Sequence, residues 1–334
     1  MWKHYLIGIA ISLAAAWFFL RAVPLEEMGQ ALTEMDLLYL IPATLIYILT
    51  YVIRAWRWHY LMRPVARVKL HPLFAALMVG FLGNNILPAH LGEVVRAYVL
   101  GRSQGVSKSA TFATVVMERV YDGLTVLLLL VVVLVFMDLP QGPVEGSLIT
   151  LQGLRTAGWL GLILFAGLMI LLQAFRWQRQ RTLALLGFLF KPVPSRFRDK
   201  LLEAAGSFSQ GLALAKASDL LFIGIYSLIT WALLGLWAWS LFPAFGLDLN
   251  PMAGVLMEVV LALALLIPSA PAFVGTFHLA AAATLAFMGA SAGVAGSYSM
   301  ALWLVHFITT TLVGLFYLWR QGLGWAALSG RNQD

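Results

Sequence analysis

The sequence predicts an all-α fold: a polytopic integral membrane protein with six transmembrane helices and two re-entrant helical hairpins in an inverted-topology repeat. Of its 334 residues, 61% are apolar and 11% are charged, whereas soluble domains are about 45–50% apolar and about 25% charged. Six apolar runs are long enough to cross a bilayer, and two further apolar stretches are interrupted by proline and glycine. This composition excludes an ordinary soluble enzyme, a disordered protein and a coiled coil.

The six predicted spans follow from the length of the apolar runs, since a bilayer core needs about 20 apolar residues in a helix. Large apolar residues follow directly after the three alanines at 14–16, so we expect the first run to be an uncleaved span rather than a signal peptide. No polar stretch is long enough for an aqueous domain, and residues 1–334 are predicted to form one membrane domain. The spans cover residues 5–20, 37–60, 109–137, 153–175, 219–242 and 295–319.

The two interrupted stretches, residues 72–100 and 251–290, are each too long for one span. The first breaks around Pro88 and the second around Pro268, each with glycines nearby. Irregular backbone at membrane depth is tolerated only inside the protein or beside a wet cavity. We therefore predict that each stretch is a helical hairpin that enters and leaves the membrane by the same face.

The distribution of Lys and Arg predicts the orientation. In this topology all but three of the 22 Lys and Arg fall on one side of the membrane, including Arg54 and Arg57 at the end of the second span. The positive-inside rule makes that side the cytoplasm. We expect an integral plasma-membrane protein with both termini cytoplasmic, and the net charge of +7 then requires no nucleic acid as partner.

An internal repeat follows from the same topology. Residues 37–136 and 219–320 each read as span, hairpin and span, and Pro88 and Pro268 occupy corresponding places in them. The two hairpins enter from opposite faces, so the units would be related by an axis in the membrane plane. Inverted repeats with broken helices at corresponding positions are typical of transporters, which bind their substrate between the repeats.

An amphipathic surface helix is predicted at residues 197–215, between the two units. Phe197, Leu201 and Phe208 fall on one face at helical spacing, and Arg198 lies elsewhere. Such a helix lies on the membrane surface, where basic side chains meet anionic headgroups. We expect it to link the two repeat units.

The third span carries three ionisable residues, Glu118, Arg119 and Asp122, which fall on one face of a helix. Ionisable residues inside a bilayer are costly and by default mark a functional site. Two roles remain open at this point: an ion-pair cluster that holds the span to a neighbouring helix, and a charged surface that contacts the substrate.

The first hairpin contributes polar residues around its break. A new helix is expected to begin after the break, helix N-termini bind anions, and an arginine one turn later suits phosphate. Capping of the broken helix ends is the alternative role. His90 and Glu93 have the spacing of a metal pair without a third ligand, so no metal is predicted. The candidate substrate-binding residues of this hairpin are Asn84, Asn85, His90, Glu93 and Arg96.

The second hairpin adds Ser269, Thr276 and His278 as candidate substrate-binding residues. The two hydroxyls can satisfy freed carbonyls or touch a headgroup, and the imidazole can titrate or bond across helices. Glu258 is an acidic residue inside an otherwise apolar helix. It is a candidate for carrying a coupling proton, with pairing to Arg119 or a position near the membrane surface as the alternatives.

Two motif groups stand out. The first is Asn85-x-x-Pro88-x-x-x-Gly92-Glu93-x-x-Arg96, followed by Glu118-Arg119-x-x-Asp122, and the second is Pro268-x-x-Pro271-x-x-x-Gly275. Both resemble motifs of the lysylphosphatidylglycerol synthase transmembrane family, whose members are also called flippase-like proteins. The second motif differs from that of many members, which have two glycines in place of Ala272 and Phe273 and a glutamate in place of His278. Fewer glycines imply a less open backbone there.

The resemblance implies a membrane protein that moves a lipid between leaflets or serves a lipid-modifying pathway. The synthase members carry an additional soluble aminoacyl-transfer domain, which this sequence does not contain as far as Asp334, so we expect no synthase activity. No phosphate-hydrolase motif or nucleotide-binding loop supports an intramembrane enzyme. There is no cysteine for a thiol nucleophile or a cysteine metal site.

The sequence therefore predicts a lipid transporter, a flippase or scramblase without enzymatic activity or cofactor. It would move an anionic or phosphate-containing headgroup through a polar groove between the inverted repeats. The expected partners are membrane lipids, of phospholipid or polyprenyl-phosphate type, with a lipid-modifying enzyme and a second copy of the chain as further partners. The alternative is a membrane scaffold or accessory subunit for a lipid-modifying enzyme or a glycosyltransferase.

Overall fold

The protein is an all-helical, polytopic membrane protein. The computed structural model describes residues 13–320, except residues 22, 88–89, 143, 145–146, 192–193, 196–197, 200–201, 203–216 and 268. Every regular element within these residues is a helix. Four helical segments are long and apolar enough to cross a membrane: Leu37–Met62, Lys108–Phe136, Ser218–Phe245 and Ala292–Arg320.

Three short 3-10 helices, Leu37–Tyr39, Pro243–Phe245 and Pro271–Phe273, lie among the α-helices of the described part of the chain. The first α-helix, α1, covers the described residues 13–21. The α-helices that follow are α2 (Leu25–Glu34), α3 (Leu40–Met62), α4 (Leu70–Ile86), α5 (Gly92–Gln104), α6 (Lys108–Phe136), α7 (Leu151–Trp177), α8 (Arg179–Leu189), α9 (Ala217–Ser240), α10 (Pro251–Ala264), α11 (Thr276–Phe287) and α12 (Ala292–Arg320).

Four of the six predicted spans coincide with these long apolar helices, namely α3, α6, α9 and α12. The other two spans fall on α1 and on α7, which is 27 residues long. That α1 and α7 also cross the membrane stays a prediction. The predicted surface helix at 197–215 lies outside the described residues, apart from 198–199 and 202.

The two interrupted stretches are broken where the sequence predicts. In the first, α4 ends and α5 begins on either side of residues 87–91; in the second, α10 and α11 flank residues 265–275. These four helices have 17, 13, 14 and 12 residues. At 1.5 Å per residue each is roughly 18–26 Å long, shorter than a bilayer core of about 30 Å. Paired short helices of this length fit the predicted hairpins.

Left-handed backbone marks both breaks. His90 in the first break has φ 55°, and Ala272 and Phe273 in the second have φ 56° and 58°. The absence of glycine at the last two positions implied a less open backbone, and the structure contradicts this, because both residues adopt the conformation that glycine favours. The indole nitrogen of Trp303 on α12 donates to the carbonyl of Ala272 at 2.8 Å and fixes this turn.

Close helix contacts place the two breaks at the centre of the bundle. α3 packs along α9, α4 packs against both α5 and α12, and α10 lies between α9 and α6. The start of α5 lies against α4 so closely that a Cβ on Gly92 would overlap the carbonyl oxygen of Gly80 and lie 2.6 Å from the backbone nitrogen of Asn84. The rings of His90 and Phe273 are 5.1 Å apart, so the two breaks meet.

Candidate functional site

A cavity of about 920 Å³ lies where the two breaks meet. Aromatic side chains supply much of its wall, including Trp231 and Trp237 from α9 and Phe277 from α11. A volume of this size accommodates a small organic molecule or a lipid headgroup. The polar and charged residues that line it are Tyr47, Tyr51, Arg54, Asn84, His90, Glu93, Arg119, Asp122, Glu258 and His306.

The cavity reaches the outer, apolar surface of the bundle. Ile163 and Leu164 on α7 and Leu266 just after α10 line it, and these three side chains are also 68%, 61% and 63% exposed. The mouth of the cavity therefore lies between α7 and the end of α10 and is apolar on its outer side.

Arg57 on α3 is fully buried and holds both carboxylates of the third predicted span. Its guanidinium lies 2.8 Å from a carboxylate oxygen of Glu118 and 2.5 Å from one of Asp122. It also donates to the hydroxyl of Ser227 at 3.0 Å, and the indole of Trp231 donates to Asp122 at 3.0 Å. The shared helical face of Glu118 and Asp122 is confirmed, and it joins α3, α6 and α9.

Arg96 and Arg119 extend this cluster to the first break. Arg96 lies 3.0 Å from Glu118 and 2.7 Å from Glu93. Arg119 pairs with Glu93 and lies 3.4 Å from Asp122. Each carboxylate therefore bridges two arginines, and hydrogen bonds between ionised groups are stronger than those between neutral groups.

The cluster is electrically balanced, because three arginines face three carboxylates. Buried charges are tolerated in a low-dielectric interior only when they are paired and hydrogen-bonded. Arg96 does not line the cavity, so it supports Glu93 and Glu118 from behind. The Arg119 side chain is 41% exposed, and it lines the cavity while paired.

Arg54 is the cation that the sequence reasoning missed as a site residue. It lines the cavity, and its Nε atom is buried without a hydrogen-bond partner. Within the described residues Arg54 makes no ion pair. Its guanidinium lies 5.9 Å and 5.5 Å from the ring centres of Tyr51 and Phe81. Helical spacing gives the signal: Tyr47, Tyr51 and Arg54 recur at i, i+4 and i+7 on one face of a predicted span.

The positions of Arg54 and Arg57 reduce by two the number of Lys and Arg side chains that can be counted on the cytoplasmic surface. The sequence assigns both to the cytoplasmic end of the second span, whereas both side chains are buried inside the bundle. They lie eight and five residues before the last residue of α3, Met62. They are therefore roughly 12 Å and 8 Å along the helix from its end.

Glu258 on α10 is the second charged side chain of the cavity without an ion pair among the described residues. Its Oε1 atom is buried without a hydrogen-bond partner. The expected alternative, a pair with Arg119, is not found. On the adjoining wall, the Tyr47 hydroxyl bonds to Nδ1 of His306 and lies 2.5 Å from the hydroxyl of Tyr51.

Six predicted residues line the cavity: Asn84, His90, Glu93, Arg119, Asp122 and Glu258. The other six, Asn85, Arg96, Glu118, Ser269, Thr276 and His278, do not line it. Asn85 donates to the hydroxyls of Thr310 and Thr311 on α12. Thr276 donates to the carbonyl of Phe273 at 3.1 Å, and His278 packs against the rings of Phe19 and Trp303. The contacts of Asn85, Thr276 and His278 hold the breaks and helices together.

Metal-binding geometry is not found in the part of the chain that the structure describes, where no three His, Cys, Asp or Glu side chains come together to hold an ion. The charged residues of the cavity instead form arginine–carboxylate contacts. Guanidinium groups recognise carboxylate and phosphate by the same planar geometry. The chemistry that the site offers is therefore the binding of an anion beside an aromatic wall.

The comparisons with known proteins agree in family. The model of the lysylphosphatidylglycerol synthase TM region matches residues 5–314. A protein of Haloferax volcanii named Glycosyltransferase AglD is 26% identical over 315 residues, covering 88% of this chain and 50% of the relative. A UPF0104 membrane protein of Methanothermobacter thermautotrophicus is 24% identical over 332 residues, covering 92% and 93% of the two chains. This chain thus spans half the length of the first relative, and no solved structure matches it.

Proposed function

The chain belongs to the lysylphosphatidylglycerol synthase transmembrane family, and we propose that it is a lipid transporter, a flippase or scramblase for lipids with an anionic, phosphate-containing headgroup. The observation that carries the proposal is Arg54, whose guanidinium lies in a cavity that reaches the apolar outer surface and makes no ion pair with the described residues. An unpaired buried cation is costly. A bound anion removes that cost.

Arg54 anchors the phosphate in this proposal. Its guanidinium presents donors in a planar fork that matches phosphate oxygens, and the low dielectric of the cavity strengthens the attraction. Arg119 is the second contact, since its half-exposed side chain lines the same cavity. Arg57 and Arg96 are positioning residues, because they are committed to Glu118, Asp122 and Glu93.

The acyl chains stay in the bilayer while the headgroup occupies the cavity. The mouth between α7 and the end of α10 is apolar on its outer side, at Ile163, Leu164 and Leu266. Because only the headgroup enters the cavity, the two acyl chains never pass through a polar region. Transport then needs a cavity that opens first toward one leaflet and then toward the other.

In this proposal six helices span the plasma membrane with both termini in the cytoplasm, and the two broken segments are re-entrant hairpins. The units 37–136 and 219–320 are inverted repeats, whose broken segments meet at the cavity through His90 and Phe273. This arrangement matches the general plan of transporters, in which the site lies between repeats near the bilayer midplane.

The test is leaflet exchange in liposomes. Purified protein is reconstituted with phosphatidylcholine, phosphatidylglycerol and a trace of fluorescent phosphatidylglycerol, and the outer leaflet is bleached chemically. We expect exchange by the native protein and a loss of roughly 10–100-fold in Arg54→Gln, since a charged hydrogen bond contributes about 1.5–3 kcal/mol. The exposed Arg102 provides the matched control, and Arg102→Gln is expected to exchange like the native protein.

Two results would contradict the proposal. Native-like exchange by a folded Arg54→Gln variant would remove Arg54 from the site. Absence of exchange by the native protein, for phosphatidylglycerol and for a labelled polyprenyl phosphate, would exclude lipid transport.

The second candidate function is that of an accessory subunit for a glycosyltransferase, and the relative named Glycosyltransferase AglD favours it. Such a subunit needs a docking surface, for which the basic segment 176–216 is the candidate, and has no use for an unpaired cavity arginine. Purification of the tagged protein from its own cells distinguishes the two. An enzyme that co-purifies with native protein and with Arg54→Gln alike, while neither exchanges lipid, would support the accessory role.

A further inference from the structure

Arg54 and Glu258 are the charged side chains of the cavity that lack an ion pair among the described residues. The other charged lining residues, Glu93, Arg119 and Asp122, all belong to the balanced cluster. The net charge inside the cavity therefore depends on Arg54, on Glu258 and on whatever binds between them.

We propose that Glu258 takes up a proton when a phosphate headgroup binds Arg54, so that each lipid crosses the cavity together with one proton. This inference rests on the proposed function and specifies how the same site is coupled to an ion gradient. No bond other than that of the transferred proton forms or breaks, and the proton comes from water.

The charge balance carries the argument. With Glu258 ionised, Arg54 and Glu258 offset one another across the empty cavity. A phosphate bound to Arg54 would then face a second anion in a low-dielectric space, and the two would repel. Protonation of Glu258 removes this repulsion and leaves the cavity neutral with the lipid bound. Binding of the phosphate and binding of the proton therefore favour each other, and this linkage is reciprocal.

Glu258 is better placed to accept that proton than Asp122, the other carboxylate on this side of the cavity. Asp122 already accepts from Arg57 and Trp231, so its carboxylate is held in the ionised form by donors. α9 and α11 contribute apolar and indole side chains to this wall. The charged and titratable groups that face Glu258 are Arg54, Tyr47 and Tyr51 on α3, Arg119 and Asp122 on α6, and Tyr298 and His306 on α12.

His306 is the competing acceptor. Its Nδ1 atom bonds to the hydroxyl of Tyr47, and its Nε2 atom is buried without a partner among the described residues. A proton on His306 would also offset a bound phosphate. The oxygen Oε1 of Glu258 is likewise unpartnered, so the experiment must separate these two side chains.

The first experiment counts protons. Purified protein in detergent is titrated with short-chain phosphatidylglycerol by calorimetry at a series of pH values from neutral to about pH 9, in two buffers with different ionisation enthalpies. We expect uptake to approach one proton per lipid bound by the native protein at the alkaline end of this range, where Glu258 of the empty protein is ionised. Glu258→Gln should bind the lipid with uptake close to zero. His306→Gln should keep the native number of protons taken up per lipid bound, whatever its lipid affinity, and the exposed-carboxylate control Asp248→Asn should behave like the native protein.

The outcomes are distinct. Uptake that persists in Glu258→Gln, or disappears in His306→Gln instead, overturns the assignment of the proton to Glu258. Lipid binding by the native protein without proton uptake overturns the coupling and leaves the proposed function standing. Absence of binding and of exchange by the native protein overturns the proposed function, and the coupling with it.

A second experiment needs no variant and covers the case in which Glu258→Gln does not fold. In liposomes of phosphatidylcholine and phosphatidylglycerol, a pH gradient should drive labelled phosphatidylglycerol toward the leaflet on the alkaline side. A ratio of one proton per lipid gives an accumulation of up to about tenfold per pH unit, and a protonophore should abolish it. A gradient that leaves the distribution unchanged, while the protein exchanges lipid, overturns the coupling.

Discussion

Neutralising Glu118 should destabilise the bundle strongly, because this carboxylate holds two buried arginines at once. It is fully buried and lies 2.8 Å from Arg57 and 3.0 Å from Arg96. Removing one partner of a buried ion pair costs about 3–5 kcal/mol. After Glu118→Gln, Arg57 keeps Asp122 at 2.5 Å and Arg96 keeps Glu93 at 2.7 Å. We therefore expect a loss near the lower limit, about 3 kcal/mol.

The assay is unfolding of purified protein in mixed detergent micelles, with Glu34→Gln as a control because Glu34 is exposed. The control should change stability by less than about 0.5 kcal/mol. In the double variant Arg57→Gln, Glu118→Gln the positive and negative charges of the cluster match again. It should therefore be at least about 1 kcal/mol more stable than the sum of the single losses predicts. A Glu118→Gln protein within about 1 kcal/mol of the native one would refute the reasoning.

Two further changes test the broken segments. Gly92→Ala places a Cβ on the backbone of Gly80 and Asn84, so we expect a loss of about 1–3 kcal/mol in the same unfolding assay; a neutral result would mean that α4 and α5 can separate without cost. Ala272→Gly should instead stabilise the protein by about 1 kcal/mol, because Ala272 has φ 56° and left-handed backbone is costly for residues other than glycine. The control Ala55→Gly lies within α3 and should destabilise by about 1 kcal/mol; a loss in Ala272→Gly as well would show that the turn carries no strain.

The elements that local rules govern could be predicted from the sequence. The breaks at residues 87–91 and 265–275 follow from proline and glycine, whose effects on the backbone are local. The common face of Glu118 and Asp122 follows from helical periodicity alone. The partner of that face could not be predicted, because Arg57 comes from a helix that is distant in sequence and its pairing depends on how α3 packs on α6.

The sequence could not show which arginine lacks an ion pair, because ion pairing depends on how helices distant in sequence pack together. Packing between helices decides which carboxylates Arg57, Arg96 and Arg119 reach. The sequence reasoning chose Arg96 because it follows an expected helix N-terminus by one turn, and Arg119 because it is an ionisable residue inside a predicted span. In the structure Arg96 and Arg119 each form ion pairs with carboxylates, whereas Arg54 forms none with the described residues. The sequence therefore located the charged region of the site. The ion pairs seen in the structure then showed that Arg54 is the arginine of this region without a carboxylate partner among the described residues.

The cost of burying Arg54 without an ion pair yields the last prediction. A buried polar group without a partner destabilises a protein by about 1–3 kcal/mol. In a Glu258→Gln background, where the opposing charge of the cavity is absent, Arg54→Gln should therefore make the empty protein more stable by about 1–2 kcal/mol, while in the native background it lowers lipid exchange. Stability and transport would then change in opposite directions, as expected where a site is kept ready for a charged ligand. Unfolding in detergent without added anionic lipid measures the first effect, and liposome exchange measures the second. A double variant Arg54→Gln, Glu258→Gln that is less stable than Glu258→Gln alone would show that Arg54 is a structural residue whose charge the fold already satisfies.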